Sequence, residues 1–323
     1  MSRSSLTLKE LFYPSSEVGL AQLLQTNEWV ISDHRLAGWL YSYGRKKFGV
    51  NSVQTLKTEW LNQWLKNQIF LENWLSLKNR FASRGIETAP IKGIAMLESL
   101  YEDSGARAIS DIDIYVEAEQ HQAVDRLLTE NGWAPQADEL KWQFNRHKKT
   151  YTKNKNGVEI PLEVHFEIMP NCNRNQKAKI SVLDMAKLNS AENLVYLSGH
   201  LAYQHTFIKL FWLHDIHLLL SKDTHALTQA RSVSEEVGLV TSLDIVLHAC
   251  EKFFKTNLPL APPHLWWSGL VSESFLVSPR RYPAHYFMVK HLVKGRLKEA
   301  LWYDFYWFLS KAKGGIGERV QFK

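Results

Sequence analysis

The chain is poor in the features that would fix its chemistry covalently or tie it to a membrane. It has two cysteines in 323 residues, Cys172 and Cys250, far apart and without a Cys-x-x-Cys. That argues against a disulfide framework and leads us to expect two free thiols in a reducing, cytoplasmic setting. No window approaches the roughly 20 apolar residues of a membrane-spanning helix. The opening "MSRSSLTLKELFYPSS" has no long apolar stretch, so no signal peptide is expected. Internal repeats are missing too. Lys and Arg (39) exceed Asp and Glu (33) for a formal charge of +6, but the basic residues are dispersed. The densest patch is "KWQFNRHKKTYTKNKNG", Lys141 to Gly157, where aromatics interleave with cations. Nucleic-acid binding is possible there but not favoured, because a solvated hairpin or loop gives the same pattern.

What is present is a globular composition, 45% hydrophobic and 22% charged. Up to about Ser83, apolar residues recur at three- and four-residue spacing. "SEVGLAQLLQTNEW", "SDHRLAGWLYSYGRKKFG" and the long run from Ser52 to Gly85 read as helices. In that run, Trp60, Trp64, Leu71 and Trp74 help to form a stripe expected to be core. The pattern then changes. "IETAPIKG" reads as a strand, "IAMLESLY" as a helix, "AISDIDIYV" as a strand and "EAEQHQAVDRLLTENGW" as a helix. "KKTYTKN" and "VEIPLEVHFEI" read as a hairpin joined at Asn-Lys-Asn-Gly. From about Ser181 the chain is helical again, with a run of four helices. A proline-interrupted connection follows, then the aromatic "LKEALWYDFYWFLSKAK", expected to close the domain rather than lie on a membrane surface. The expected fold class is α+β, a small mixed β-sheet core flanked by helical regions. The expected divisions are a helical 1–85, an α/β core at 86–180 and a helical 181–323.

Chemistry concentrates in the middle third. Alternate side chains of a strand share a face, so Asp111 and Asp113 project together while Ile112, Ile114 and Val116 point the other way. Two like charges on one strand face repel, and a divalent cation would offset this. "LEVHFEI" repeats the alternation, with Glu163, His165 and Glu167 on one face. Set beside the first strand, Glu163 completes a three-carboxylate cluster of the hard oxygen type that Mg²⁺ prefers, with Mn²⁺ as a second candidate. Lys92-Gly93 stands at a strand-to-helix junction, where backbone N–H groups can meet phosphate.

Each residue also has a structural reading. Lys92 could be a solvated lysine, His165 a hydrogen-bonded structural histidine, and Asp215 a buried, hydrogen-bonded aspartate in an apolar helix. In "HDIH", His214 and His217 could share a helix face, but no third zinc ligand is evident. His200 and His205, five apart, are expected to diverge around a helix.

"KG…R-x-x-SDIDIYV…LEVHFE" resembles the nucleotidyltransferase superfamily with the polymerase-β-type catalytic fold, and in particular a poorly characterised bacterial branch. The likeness runs from about Ala21 to Leu220 and takes in "FASRGIETAPIKG" and "LVYLSGHLAYQHTFIKLFWLHDIHLLL". It implies a cytoplasmic, Mg²⁺-dependent transfer of a nucleoside monophosphate from an NTP to an acceptor, a small molecule being favoured. Asp111, Asp113 and Glu163 would be the catalytic metal ligands. Lys92, Gly93, Arg107 and Ser110 would serve the nucleotide, His165 would orient Glu163 or contact substrate, and Asp215 would face the acceptor cleft or cap a core network. The chain departs from the wider pattern in having Ile94 after Gly93, where Gly or Ser is usual. Two alternatives stay open: a catalytically weak or inactive nucleotide-binding regulatory module, and a toxin-like transferase acting on RNA or protein.

Overall fold

The computed structural model describes residues 7–136, 147–167, 180–258 and 269–295, with 298, 300, 301, 304 and 305. The chain begins with helices α1 (Leu8–Phe12), α2 (Glu17–Thr26), α3 (Glu28–Asp33), α4 (Ala37–Phe48) and the long α5 (Lys57–Ser83). Thr7 and Ser16 cap α1 and α2, their side-chain oxygens accepting from the amides of Glu10 and Gly19. The buried face of α5 is Phe70, Trp74, Leu77 and Phe81. Of the expected stripe, Trp74 is core. Trp60 is half-buried, stacks on Tyr41 and donates to Asp103 at 3.0 Å.

The sheet follows: β1 (Ala89–Pro90), α6 (Lys92–Ser99), β2 (Ile112–Tyr115), α7 (His121–Glu130), β3 (Ala134–Pro135), β4 (Lys148–Lys155) and β5 (Val158–His165). The spatial order is β1-β2-β5-β4-β3. β2 and β5 run parallel and the other neighbours antiparallel, so the sheet is mixed and the fold is α+β. The two-residue edge β3 is absent from the sequence reading, being too short for any period to show. Asn156 (φ 55°) and Gly157 (φ 81°) form the hairpin turn and fix Lys155 opposite Val158 and Lys148 opposite His165.

One sheet face, with Ile112, Ile114, Val116, Leu162, Val164 and Phe166, joins α5, α6 and α7 in one hydrophobic core. A second core unites the N-terminal helices with the helices after Ser181, and Tyr115 reaches it from the opposite sheet face. Downstream, helices span Ala191–Ser198, Leu210–Lys222, Leu227–Val237 and Val240–Ala249. The first of these passes directly into a π-helical stretch, Gly199–Gln204. In π geometry the hydrogen bond runs from i to i+5. His200 and His205 therefore come together, with ring centroids 4.6 Å apart, and the expected divergence is overturned. No described helix is long and apolar enough to cross a membrane. Cys250 is a buried free thiol; Cys172 and most of the aromatic closing segment lie outside the described residues.

Candidate active site

The site is assembled by strand register. In the parallel β2–β5 pair Asp113 lies directly opposite Glu163, and Tyr115 opposite His165. The sheet face away from the first core thus gathers Asp113, Glu163 and His165. The Ile91 amide donates to the Asp113 carbonyl at 3.0 Å, docking the end of β1 on β2 so that Lys92 emerges over the acids. Lys92 adopts φ +51°, a left-handed conformation uncommon for any residue but glycine.

The polar atoms converge closely. Lys92 Nζ donates to Asp113 Oδ1 at 2.7 Å and stands 3.7 Å from Glu163 Oε2. His165 Nε2 is 2.9 Å from Asp113 Oδ1 and 3.4 Å from Glu163 Oε2. The other Glu163 oxygen, Oε1, accepts from Lys148 Nζ at 2.5 Å. Asp111 sits just before β2, held by the Ser110 hydroxyl at 3.0 Å.

The electrostatics follow from this geometry. Burial works against the Lys92 charge, but Asp113, Tyr196, Glu163 and Asp111 raise its pKa well above the usual lysine value. Burial opposes the Asp113 charge as well, yet Lys92 and His165 keep its carboxyl below the ordinary range. Glu163 is likewise low, because His165, Lys92 and Lys148 outweigh its desolvation. At Asp111 burial, then repulsion from Asp113, outweigh the pull of Lys92 and push its pKa up to about 6.

Arg107 and Asp215 are brought to each other. Both are buried, and the guanidinium grips the carboxylate two-pronged, Nε to Oδ1 at 3.0 Å and Nη2 to Oδ2 at 2.7 Å. Tyr101 donates to the same carboxylate at 2.7 Å, and Tyr13 bonds the neighbouring His214 at 2.8 Å. Gly93 is buried against this pair, and a Cβ there would lie 2.7 Å from Arg107 Nη1 and from Ile109 Cγ2. Its missing side chain is required by that close approach. His217 turns away to Thr256 Oγ1 at 3.0 Å, so "HDIH" gathers no ligand set.

Sequence reasoning missed Lys148, although counting outward from the Asn156-Gly157 turn places it opposite His165. It also missed His147, which precedes Lys148 in the same hairpin, and Tyr196, which reaches the site from a helix distant in sequence. The rings of Tyr196 and His147 lie 6.4 Å and 6.5 Å from that of His165.

Among the described residues, one cluster has ligand geometry. One atom each from Asp113, Glu163 and His165 lies within 4.8 Å of the others. Two carboxylates and an imidazole suit a divalent cation, so the donor set fits a metal. An acidic face whose donor set fits a cation, on a mixed sheet beside a strand-to-helix turn, is suited to the handling of phosphates. The family model described as "Uncharacterised nucleotidyltransferase" matches residues 25–255, and the chain belongs to that nucleotidyltransferase family. No curated protein and no solved structure matches it.

Proposed function

We propose that the chain transfers a nucleoside monophosphate from an NTP to an acceptor hydroxyl or phosphate, with Mg²⁺ or Mn²⁺, in the cytoplasm. The acceptor oxygen attacks the α-phosphorus, the bond from that phosphorus to the bridging oxygen of the β-phosphate breaks, and pyrophosphate leaves. The acceptor proton passes to solvent. The observation that carries the reading is the Asp113–Glu163 register beside Lys92.

Asp113, Glu163 and His165, with Asp111 on the same face, would hold the cation. The bound metal supplies charge neutralisation on the phosphates and the departing pyrophosphate. Lys92 and the first amides of α6, from Gly93 on, face the phosphates. Ser110 steadies Asp111, and the Arg107–Asp215 pair fixes the loop that leads to it.

A small-molecule acceptor is favoured because the described lysines of the basic patch are engaged. Lys148 pairs with Glu163, Lys149 with Asp125 and Lys155 with Glu72, while Lys153 donates to the Asn131 carbonyl. Residues 141–146 of that patch lie outside the described residues. A second reading, nucleotide binding without turnover, draws on Lys92 neutralising Asp113 and on Ile94 following Gly93.

The test is incubation with each labelled NTP, Mg²⁺ or Mn²⁺, and cell extract. Label transfer is expected in the wild type and lost in Asp111→Ala/Asp113→Ala. Transfer or metal-dependent nucleotide binding that survives the double substitution overturns the reading. Binding without transfer in the wild type selects the regulatory module.

A further inference from the structure

Each of the three candidate ligand residues offers an atom of ligand type, Asp113 Oδ1, Glu163 Oε2 and His165 Nε2, with Nε2 at 2.9 and 3.4 Å from the two oxygens. They are also the three atoms around the Lys92 ammonium, at 2.7, 3.7 and 3.3 Å. A divalent ion bonded to these atoms and an ammonium in contact with all of them compete for one place, and like charges at such range repel strongly. We propose that Lys92 is the resident cation of the Asp113–Glu163–His165 site, and that a divalent metal binds by displacing its ammonium, which is then released to the nucleotide phosphates.

This rests on the metal-dependent reading above and adds to it an exchange between the chain's own charge and the ion. Several features of the surroundings support it. Lys148 occupies Glu163 Oε1 and leaves Oε2 turned to Lys92 and His165, so one carboxylate serves a fixed and an exchangeable cation. The Tyr196 hydroxyl is buried beside Lys92 without a hydrogen bond of ordinary geometry, a polar group facing the ammonium from the opposite helix. The left-handed backbone at Lys92 directs its side chain across the acids, a conformation that persists only where surrounding structure holds it. The exchange also couples the two ligands. A metal that frees Lys92 favours nucleotide binding, and by linkage the nucleotide favours the metal to the same extent.

The experiment measures Mn²⁺ binding to the full chain without nucleotide, from the electron paramagnetic resonance signal of free Mn²⁺. Lys92→Met keeps the side-chain bulk and removes the charge; it is expected to bind Mn²⁺ about tenfold tighter than the wild type or better. Lys92→Arg, which keeps a cation, is expected to stay near the wild type. A measurement on the unaltered protein needs no variant to fold. The labelling rate of the Lys92 amine by an amine-reactive reagent, read by mass spectrometry, is expected to rise severalfold when Mn²⁺ is added.

Equal or weaker Mn²⁺ binding in a folded Lys92→Met overturns the exchange. So does unchanged Lys92 labelling at Mn²⁺ that saturates the wild type. If neither the wild type nor Lys92→Met binds Mn²⁺, the metal-dependent reading itself falls, and the exchange falls with it.

Discussion

Two buried aspartates, each gripped by a basic side chain, lie on either side of the loop from Arg107 to Asp113, and they do different things. Around Asp215 the charges close on each other. One guanidinium meets one carboxylate through two bonds, and Tyr101 accounts for a further lone pair. Around Asp113 they do not close. Asp113 and Glu163 share Lys92, Lys148 adds to Glu163, and the third carboxylate, Asp111, is hydrogen-bonded to the Ser110 hydroxyl. A carboxylate with saturated partners works as a joint, here tying the Leu210–Lys222 helix to the loop under Gly93. Surplus negative charge with converging lone pairs, as at Asp113, forms a site that invites a cation.

The contrast can be broken most severely at the joint. Asp215→Ala leaves the Arg107 guanidinium buried without its counter-ion and is expected to cost about 3–5 kcal/mol in stability, measured by urea unfolding. Comparable loss of stability from Asp113→Asn with no loss of transfer would erase the distinction between the two clusters. Instead, Asp113→Asn is expected to lower label transfer by about 10²–10³-fold while the chain remains folded by circular dichroism.

A smaller effect sharpens the packing side. Gly93→Ala must push a methyl into Arg107 and Ile109, and is expected to destabilise by about 1–3 kcal/mol, read as a lower melting temperature. The smallest effect is on pH dependence. The Asp111 pKa, about 6 against an ordinary 3.8, means that the folded chain holds a proton the unfolded chain releases in that window. Its contribution is present below pH 3.8 and is lost as pH rises through 6, a change of about 1–2 kcal/mol once solvent screening is allowed for. Asp111→Asn should flatten the stability profile over that window, measured by denaturant midpoints at each pH.

The sheet was largely legible in the chain. Alternation in "SDIDIYV" and "LEVHFE" put Asp113, Glu163 and His165 on one face with the isoleucines and Leu162 opposite, as the core arrangement bears out; that Asp113 and His165 are themselves buried was not legible. The Asn156-Gly157 turn announced the hairpin. The partners were harder to read. Lys92 and Asp113 are 21 positions apart, Arg107 and Asp215 are 108 apart, and no local period encodes such pairings. His200 and His205 meet only because the helix widens into π geometry, which a 3.6-residue period does not anticipate.

The sequence alone determined which side chains share a face, since the two-residue repeat of a strand and the φ > 0 of an Asn-Gly turn are properties of the local backbone. It determined the membership of a nucleotidyltransferase family through the acidic strand motif and its flanks. Only the tertiary structure decided which charges neutralise which. It turned Arg107 to Asp215, set Lys92 among Asp113, Glu163 and His165, and added Lys148 behind Glu163. The reason is physical: a buried charge takes the opposite charge that packing brings within hydrogen-bond reach, and that depends on how distant elements are stacked, not on their order along the chain.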